Sequence, residues 1–128
     1  MRVFIVDDSV LIQDRLKSLV TAVENVEVVG QGYNVSDGIR RIEELRPDAV
    51  ILDIRMPGGS GLDVLDALKN GEHKPVFIIL TNYPYPQYRK KAHEKGAKYF
   101  FDKSLEFEKV TDALEDILLS LSDRTGRA

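Results

Sequence analysis

The segment "VFIVDDSVLI", residues 3–12, joins a short apolar run to two adjacent aspartates, Asp7 and Asp8. The four residues before the aspartates are all apolar, which is typical of a strand that is covered on both faces of a sheet. No basic residue stands beside the two carboxyl groups in this segment. The segment therefore predicts a buried strand that carries two like charges to the edge of the core.

The same apolar pattern recurs along the chain. Four more stretches of strand length follow, at Val26–Val29, Ala49–Leu52, Val76–Leu80 and Tyr99–Phe101. Segments between and after them have apolar residues three or four positions apart, as on the buried face of a helix, although Gln87–Lys95 is poorly amphipathic. Strict alternation of strand and helix with short connections predicts an α/β fold, a doubly wound parallel sheet of five strands with helices on both faces.

Composition limits the class of protein. The chain has 128 residues, of which 43% are hydrophobic and 30% charged, and it lacks cysteine and any apolar run of membrane-spanning length. Its start does not resemble a secretory signal, so we expect a cytoplasmic protein without membrane contact. A net charge of -3 and the lack of a basic cluster with aromatics argue against direct nucleic-acid binding. We expect one domain over residues 1–121 and a short tail or truncated linker at 122–128.

Polar residues follow four of the five predicted strands. Asp7 and Asp8 end the first strand, Asp53 ends the third, Thr81 ends the fourth, and Lys103 follows the fifth. Ligands of an open parallel sheet bind beyond the carboxyl ends of its strands. We therefore expect these five polar side chains to meet at one rim of the sheet.

Aspartates after strands often cap helices, and Asp8 or Ser9 could each cap the first helix. Three carboxylates from neighbouring strands would however repel one another and raise the pKa of at least one of them. A hard divalent cation, Mg2+ or Mn2+, relieves such repulsion when it is held by carboxylates, a backbone carbonyl and waters. The convergence of a lysine and a hydroxyl on the same rim favours the metal site over capping alone.

The same residues suit phosphoryl transfer. An aspartate can act as a nucleophile toward phosphorus, and the transfer needs mainly positioning and neutralisation of the three equatorial oxygens. The metal ion, the Thr81 hydroxyl and the Lys103 ammonium can each take one of those oxygens. Asp53 is then the natural phosphoacceptor.

These motifs together resemble the receiver domain of response regulators in two-component signalling and phosphorelays. The resemblance rests on the acidic pair after the first strand, "DIRMP" after the third, a threonine after the fourth and a lysine after the fifth. It covers residues 1 to about 121 and implies the flavodoxin-like strand order 2-1-3-4-5. It also implies that a histidine kinase or a phosphotransfer protein phosphorylates Asp53.

The resemblance assigns further roles. Asp8 and Asp53 would bind Mg2+ directly, Asp7 mainly through water, and the backbone carbonyl of Arg55 would complete the site. Thr81 would reorient on phosphorylation while Phe100 moves inward, and the surface of the fourth helix, fifth strand and fifth helix would change. That surface would control an unidentified downstream protein, with a phosphorylation-dependent homodimer as one open outcome. Phe100 lacks a hydroxyl, so it could signal only by packing.

The sequence departs from the usual receiver pattern at several positions near the site. Asn82 replaces the small residue that commonly follows the threonine, and Arg55 and Tyr83 occupy variable positions that tune the lifetime of the acyl phosphate. Ser104 stands where proline commonly follows the lysine. A cis bond without proline is costly, so we expect a trans Lys103–Ser104 bond or visible strain.

Three other functions compete with a phosphorylatable receiver. A turnover phosphatase of similar chemistry needs a second aspartate two residues after the nucleophile, where this chain has Arg55. We therefore expect self-phosphorylation and self-dephosphorylation only. A flavodoxin-like mononucleotide binder needs a first loop that cradles phosphate, which "VDDSVL" would repel. The third alternative is a degenerate receiver that acts as a phosphorylation-independent binding module.

Overall fold

Helices and strands alternate along the chain in the computed structural model, which describes the backbone of residues 1–125 and the side chains of residues 1–122. The elements in chain order are β1 (Arg2–Val6), α1 (Val10–Thr21), β2 (Glu27–Gly32), α2 (Val35–Leu45), β3 (Ala49–Leu52), β4 (Arg55–Met56), β5 (Gly59–Ser60), α3 (Gly61–Leu68), β6 (Val76–Thr81), α4 (Pro86–Glu94), β7 (Tyr99–Asp102) and α5 (Lys109–Thr125).

Five of the strands form one parallel sheet in the order β2-β1-β3-β6-β7. Strands β4 and β5 form a separate antiparallel pair, and without them the order is the predicted 2-1-3-4-5. The α/β doubly wound fold is confirmed. Strand β2 lies at an edge of the sheet. The polar residue in its apolar run suits that position, because an edge strand is less covered than a central one.

Alternation along each strand divides the core into two layers. Phe4 and Val6 of β1 point into the layer that packs against α2, α3 and α4, whereas Val3 and Ile5 point toward α1 and α5. The two central strands β1 and β3 are almost entirely inaccessible to solvent. Covering both faces in this way explains why these strands are continuously apolar.

Side-chain caps fix the start of three helices. Ser9 Oγ accepts a hydrogen bond from the Ile12 N–H at 3.2 Å, and Asn34 Oδ1 accepts one from the Asp37 N–H at 2.8 Å. Ser60 and Asp63 form a reciprocal capping box at the start of α3. Because Ser9 caps α1, the neighbouring Asp8 carboxylate is left for another role.

The C-terminal helix is longer than the sequence pattern indicated. Helix α5 continues to Thr125, so the predicted domain boundary after residue 121 falls inside it. Residues 126–128 of the predicted tail lie outside the described residues. Within residues 1–125, no helix has both the length and the apolar character that a bilayer crossing requires.

The glycine-rich stretch at residues 58–61 leads into α3 as an ordered part of the fold. It forms β5 and the first residue of α3, and the Gly61 N–H donates to the Ile54 carbonyl at 2.6 Å. A Cβ atom at Gly61 would lie 2.1 Å from the Asp53 carbonyl oxygen. The backbone that follows Asp53 can therefore lie this close to α3 only because residue 61 has no side chain.

We expect Gly61→Ala to lower the free energy of unfolding by about 1–3 kcal/mol, because the added methyl group must displace the backbone at Asp53. Gly71→Ala is the matched control, since a Cβ there meets only ordinary van der Waals contacts. The control should be neutral or slightly stabilising. Urea unfolding followed by circular dichroism measures both, and equal stabilities for the two variants would contradict the close approach at Gly61.

Candidate functional site

The carboxyl ends of β1, β3 and β7 bring two acidic side chains and one basic side chain together. Lys103 Nζ lies 2.7 Å from Asp7 Oδ2 and 3.2 Å from Asp53 Oδ2. All three residues are buried, at 2% exposed for Asp7, 7% for Asp53 and 8% for Lys103. The predicted meeting of strand-end residues at one rim is thus present for the charged members of the set.

Asp8 lies beside this buried group but is exposed to solvent. Carboxylate oxygens of Asp7, Asp8 and Asp53 lie within 4.8 Å of one another. With all three ionised, the single Lys103 ammonium leaves two negative charges uncompensated. A divalent cation matches that imbalance, and carboxylate oxygens are the donors that Mg2+ prefers. The three carboxylates present therefore fit such an ion, while the role of the Arg55 carbonyl stays a prediction.

Local hydrogen bonds orient Asp7. Its Oδ1 accepts from the Ser9 N–H at 2.9 Å, and its own N–H donates to the Gly32 carbonyl at 3.1 Å. The other carboxylate oxygen is then free to pair with Lys103. The turn between β1 and α1 thus holds the buried carboxylate in one orientation.

Gln13 is a buried polar residue that supports the same turn and that the sequence analysis did not identify. Its amide nitrogen lies within hydrogen-bonding distance of three carbonyl oxygens, those of Ile5, Asp7 and Gly32, at 3.2, 3.1 and 2.8 Å. Its oxygen accepts from Gln31 Nε2 at 2.9 Å. The available signal was its position three residues before Leu16 on the buried face of α1, where an apolar residue is expected.

Asp53 has an unusual protonation equilibrium. Burial raises its pKa to about 6, against the opposing charge of Lys103 and with a further increase from the Asp7 carboxylate. The Ile54 N–H donates to Asp53 Oδ1 at 2.8 Å. For Lys103, burial alone would lower the pKa, but the charges of Asp53 and Asp7 outweigh it and the pKa is raised. Lys103 therefore stays charged at neutral pH, whereas Asp53 exchanges its proton with solvent only about one pH unit below neutral.

Thr81 is placed differently from the charged residues. Its side chain is fully buried, and its hydroxyl oxygen accepts from the Tyr83 N–H at 3.0 Å. It does not line the cleft above Asp53. The Tyr83 N–H thus fixes the hydroxyl oxygen at the end of β6, outside the lining of the cleft.

Phe100 is already buried in this structure, at 4% exposed. Its ring packs in the layer of α2, α3 and α4, and the Arg89 guanidinium lies 4.6 Å from the ring centroid. Arg89 also donates to the Phe100 carbonyl at 3.3 Å. The expected inward movement of Phe100 would therefore begin from a ring that is already inside.

A cleft of about 500 Å³ opens above the buried carboxylates. Arg55, Asn82 and Tyr83 line it together with the three aspartates and Lys103. All the residues named as candidates for tuning the lifetime of an acyl phosphate thus border the cleft. The Lys103–Ser104 bond is trans, as are all peptide bonds in the described part of the chain.

Comparisons with known proteins agree on one family. The family model described as response regulator receiver domain matches residues 3–115. Transcriptional regulatory protein BtsR of Salmonella typhi is 34% identical over 114 residues, which cover 89% of this chain and 46% of BtsR. Transcriptional regulatory protein DesR of Bacillus subtilis is 32% identical over 116 residues, which cover 91% of this chain and 57% of DesR.

A solved structure supports the same assignment. The response regulator domain of CheB from Thermotoga maritima aligns with a TM-score of 0.82 at 27% identity, covering 93% of this chain and 94% of that domain. The chain spans about half the length of the curated relatives it matches. Activities of those whole proteins therefore do not transfer directly to it.

Replacement of the buried Asp53 should change the pH dependence of stability. The folded protein binds the Asp53 proton more tightly than the unfolded chain does, because the pKa is raised from 3.8 to about 6. Asp53 therefore lowers the stability of the metal-free wild type above that pKa, and this penalty disappears as the pH falls toward 4. We expect Asp53→Asn to be more stable by about 1–3 kcal/mol near neutral pH, with little difference near the unfolded pKa.

Urea titrations in the presence of a chelator, from acidic to neutral pH, measure this difference. Asp66→Asn is the control, because Asp66 is an exposed carboxylate paired with Lys95 and its replacement removes no buried charge. Its effect should stay within about 1 kcal/mol across the range. A wild-type to Asp53→Asn difference that is constant with pH would contradict the raised pKa.

Proposed function

We propose that this chain, which belongs to the response regulator receiver domain family, accepts a phosphoryl group on Asp53 and thereby changes the surface formed by α4, β7 and α5. The donor would be a histidine kinase or a phosphotransfer protein, and Mg2+ would be required. The observation that carries the proposal is the cleft in which buried Asp53 meets Lys103, Asp7 and Asp8.

Asp53 is suited to act as the nucleophile. Lys103 favours its ionised form, and the Ile54 N–H fixes one of its oxygens. In the transfer, an Asp53 carboxylate oxygen forms a bond to phosphorus as the bond from phosphorus to the donor nitrogen breaks. Asp8, Asp53 and the Arg55 carbonyl would hold Mg2+ directly and Asp7 mainly through water, and the ion would supply positive charge against the carboxylates and the phosphoryl oxygens.

Lys103 would change partners when Asp53 is modified. Its ammonium now contacts two carboxylates, and formation of the acyl phosphate removes the carboxylate charge of Asp53. A phosphoryl group brings about 1.5 to 2 negative charges into the same cleft. The ammonium would then pair with a phosphoryl oxygen while it keeps its contact with Asp7.

Thr81 would transmit the phosphorylation of Asp53 to the surface formed by α4, β7 and α5. Its hydroxyl would leave the Tyr83 N–H and donate to another phosphoryl oxygen, and the loop between β6 and α4 would follow. Phe100 would respond by shifting within the core, and its contacts with Arg89 would transmit the shift to α4. A preference of about 5.5 kcal/mol would take such a two-state equilibrium from 1% to 99% active, a magnitude within reach of several charge-assisted contacts.

The donor needs a surface beside the cleft. Three large apolar side chains that closely follow the cleft residues in sequence are exposed to solvent, Val10 at 64%, Leu11 at 70% and Leu105 at 85%. Exposed apolar residues around a polar cleft suit contact with another protein. We assign this face to the phosphodonor and the α4, β7 and α5 face to the downstream partner or a second phosphorylated copy.

Turnover catalysis is not part of the proposal. A phosphatase of this chemistry needs a general acid two residues after the nucleophile, and the Arg55 guanidinium does not release a proton at neutral pH. Loss of the phosphoryl group would therefore be the slow self-dephosphorylation of one modified carboxyl. The alternative of a phosphorylation-independent binding module keeps the fold and predicts no modification at all.

Acetyl phosphate with Mg2+ should label the wild type and leave Asp53→Asn unlabelled, because the amide cannot form the acyl phosphate. Intact-mass measurement detects the label, and hydroxylamine should remove it as expected for an acyl phosphate. Asp66→Asn is the control and should label as the wild type does. A labelled Asp53→Asn would refute the choice of nucleophile, and an unlabelled wild type would favour the binding module.

Thr81→Ala should still accept the phosphoryl group but lose the conformational response of α4, because no hydroxyl can turn to the modified Asp53. Thr81→Ser keeps the hydroxyl and should retain most of the response. Amide exchange over residues 86–94, with and without beryllofluoride and Mg2+, measures it. An unchanged response in Thr81→Ala would remove this residue from the switch.

A further inference from the structure

One arginine on the rim of the cleft contacts the loop that holds the Thr81 hydroxyl. The Arg55 guanidinium carbon lies 4.3 Å from the centroid of the Tyr83 ring, which is a cation–π contact. Arg55 belongs to β4 and follows Asp53 by two residues, whereas Tyr83 is the second residue of the loop between β6 and α4. The contact therefore joins the phosphoacceptor segment to the segment that would move.

Tyr83 is also the residue that engages the switch hydroxyl. Its backbone N–H donates to Thr81 Oγ1 at 3.0 Å, and Thr81 is fully buried away from the cleft. The guanidinium, the Tyr83 ring and backbone, and the Thr81 hydroxyl thus form one continuous chain of contacts. We call these three residues the Arg55 latch.

The latch extends toward α4 through aromatic rings. The ring centroids of Tyr83 and Tyr85 lie 6.3 Å apart, and those of Tyr85 and Tyr88 lie 5.8 Å apart. Tyr88 lies in the first turn of α4. The contact of Arg55 with the Tyr83 ring therefore continues through these rings to the start of α4.

Helix α4 depends on such contacts because little else anchors it. Ala92 is its only buried residue, and its N-cap, Tyr85, makes no side-chain capping hydrogen bond. A helix with few buried apolar contacts belongs to the part of a protein that opens at low cost. Constraints at its N-terminal end can therefore shift its position.

We propose that the Arg55 latch holds the Thr81 hydroxyl turned away from the cleft in the unphosphorylated protein, and that a phosphoryl group on Asp53 opens the latch by competing for the same guanidinium. The inference rests on the proposed function and assigns the side chain of Arg55 a regulatory role at that site. The competition follows from the position of Arg55, since the residue lines the cleft in which the new negative charge appears.

The latch can be tested first without any phosphoryl group. We expect Arg55→Gln to increase amide exchange at Tyr83, and at Tyr88 and Arg89 in the first turn of α4, by about two- to five-fold, the range for an exposed cation–π contact. Tyr83→Leu removes the ring but keeps the backbone N–H, so exchange at its own position 83 and in α4 should increase as much. Exchange resolved by residue with NMR measures these changes.

The double variant separates a shared contact from two independent effects. If Arg55 acts through the Tyr83 ring, Arg55→Gln with Tyr83→Leu should exchange no faster than either single variant. Arg40→Gln is the matched control, an exposed arginine that pairs with Asp37 and Glu44 on α2, and should leave exchange at Tyr83 unchanged. Additive effects, or an unchanged Tyr83 amide in Arg55→Gln, would overturn the latch.

A second measurement connects the latch to the switch. In Tyr83→Leu, the resting restraint is gone and Arg55 is free, so beryllofluoride with Mg2+ should bind about two- to five-fold more tightly in calorimetry than to the wild type. If Tyr83→Leu bound beryllofluoride as tightly as the wild type or more weakly, the proposed competition for the Arg55 guanidinium would be refuted. If the wild type bound no beryllofluoride, the proposed function would fail, while exchange in the resting protein would still decide whether Arg55 restrains the loop.

Discussion

The site depends on one ammonium group that two buried carboxylates share. Lys103 reaches across the sheet from the end of β7 to Asp7 and Asp53, and none of the three is more than 8% exposed. Removing charges from water is costly, and one ammonium balances only one of the two carboxylates. Burial, with a smaller contribution from the Asp7 carboxylate, raises the pKa of Asp53 to about 6 despite the opposing charge of Lys103. Further positive charge in the cleft, or any chemistry that removes the charge of Asp53, would therefore stabilise this buried group of charges.

The rest of the fold keeps these three groups in contact. Continuous apolar strands bury the ends of β1 and β3, and the absence of a side chain at Gly61 lets α3 approach the backbone of Asp53. The buried amide of Gln13 ties the turn after β1 to β2 through the carbonyls of Asp7 and Gly32. Buried polar groups that are fully satisfied specify one geometry, because any displacement leaves an unpaired group in a low-dielectric environment. The rigid half of the site thus comprises β1, β3 and the start of α1.

Sequence alone predicted the parts of this arrangement that follow from periodicity and from strand ends. The alternation of apolar strands and helices predicted the parallel sheet, whereas its strand order was implied by the resemblance to receiver domains. Because the strands are parallel, their carboxyl ends bring Asp7, Asp53 and Lys103 to one edge of the sheet. The side-chain choices that depend on competing partners were not predictable. Either Asp8 or Ser9 could have capped α1, and only the three-dimensional turn favours Ser9. The direction of the Thr81 hydroxyl, the buried ring of Phe100 and the three carbonyl contacts of Gln13 depend on neighbours distant in sequence or on local rotamers, for which the apolar pattern carries no signal.

The contrast between α1 and α4 explains how a local charge could have a distant effect. Helix α1 buries Gln13, Leu16 and Val20 and is capped by Ser9, whereas α4 buries only Ala92 and begins without a side-chain cap. A new charge in the cleft would act on both sides, but displacing α1 would expose more buried side chains than displacing α4. The rigid side would keep the carboxylates in place, so the proposed response would fall on the loop of Tyr83 and on α4. Two arginine contacts with aromatic rings lie in the first turn of α4 and in the loop before it. Because the helix buries little else, the loss of one of these contacts removes a large share of what restrains its start.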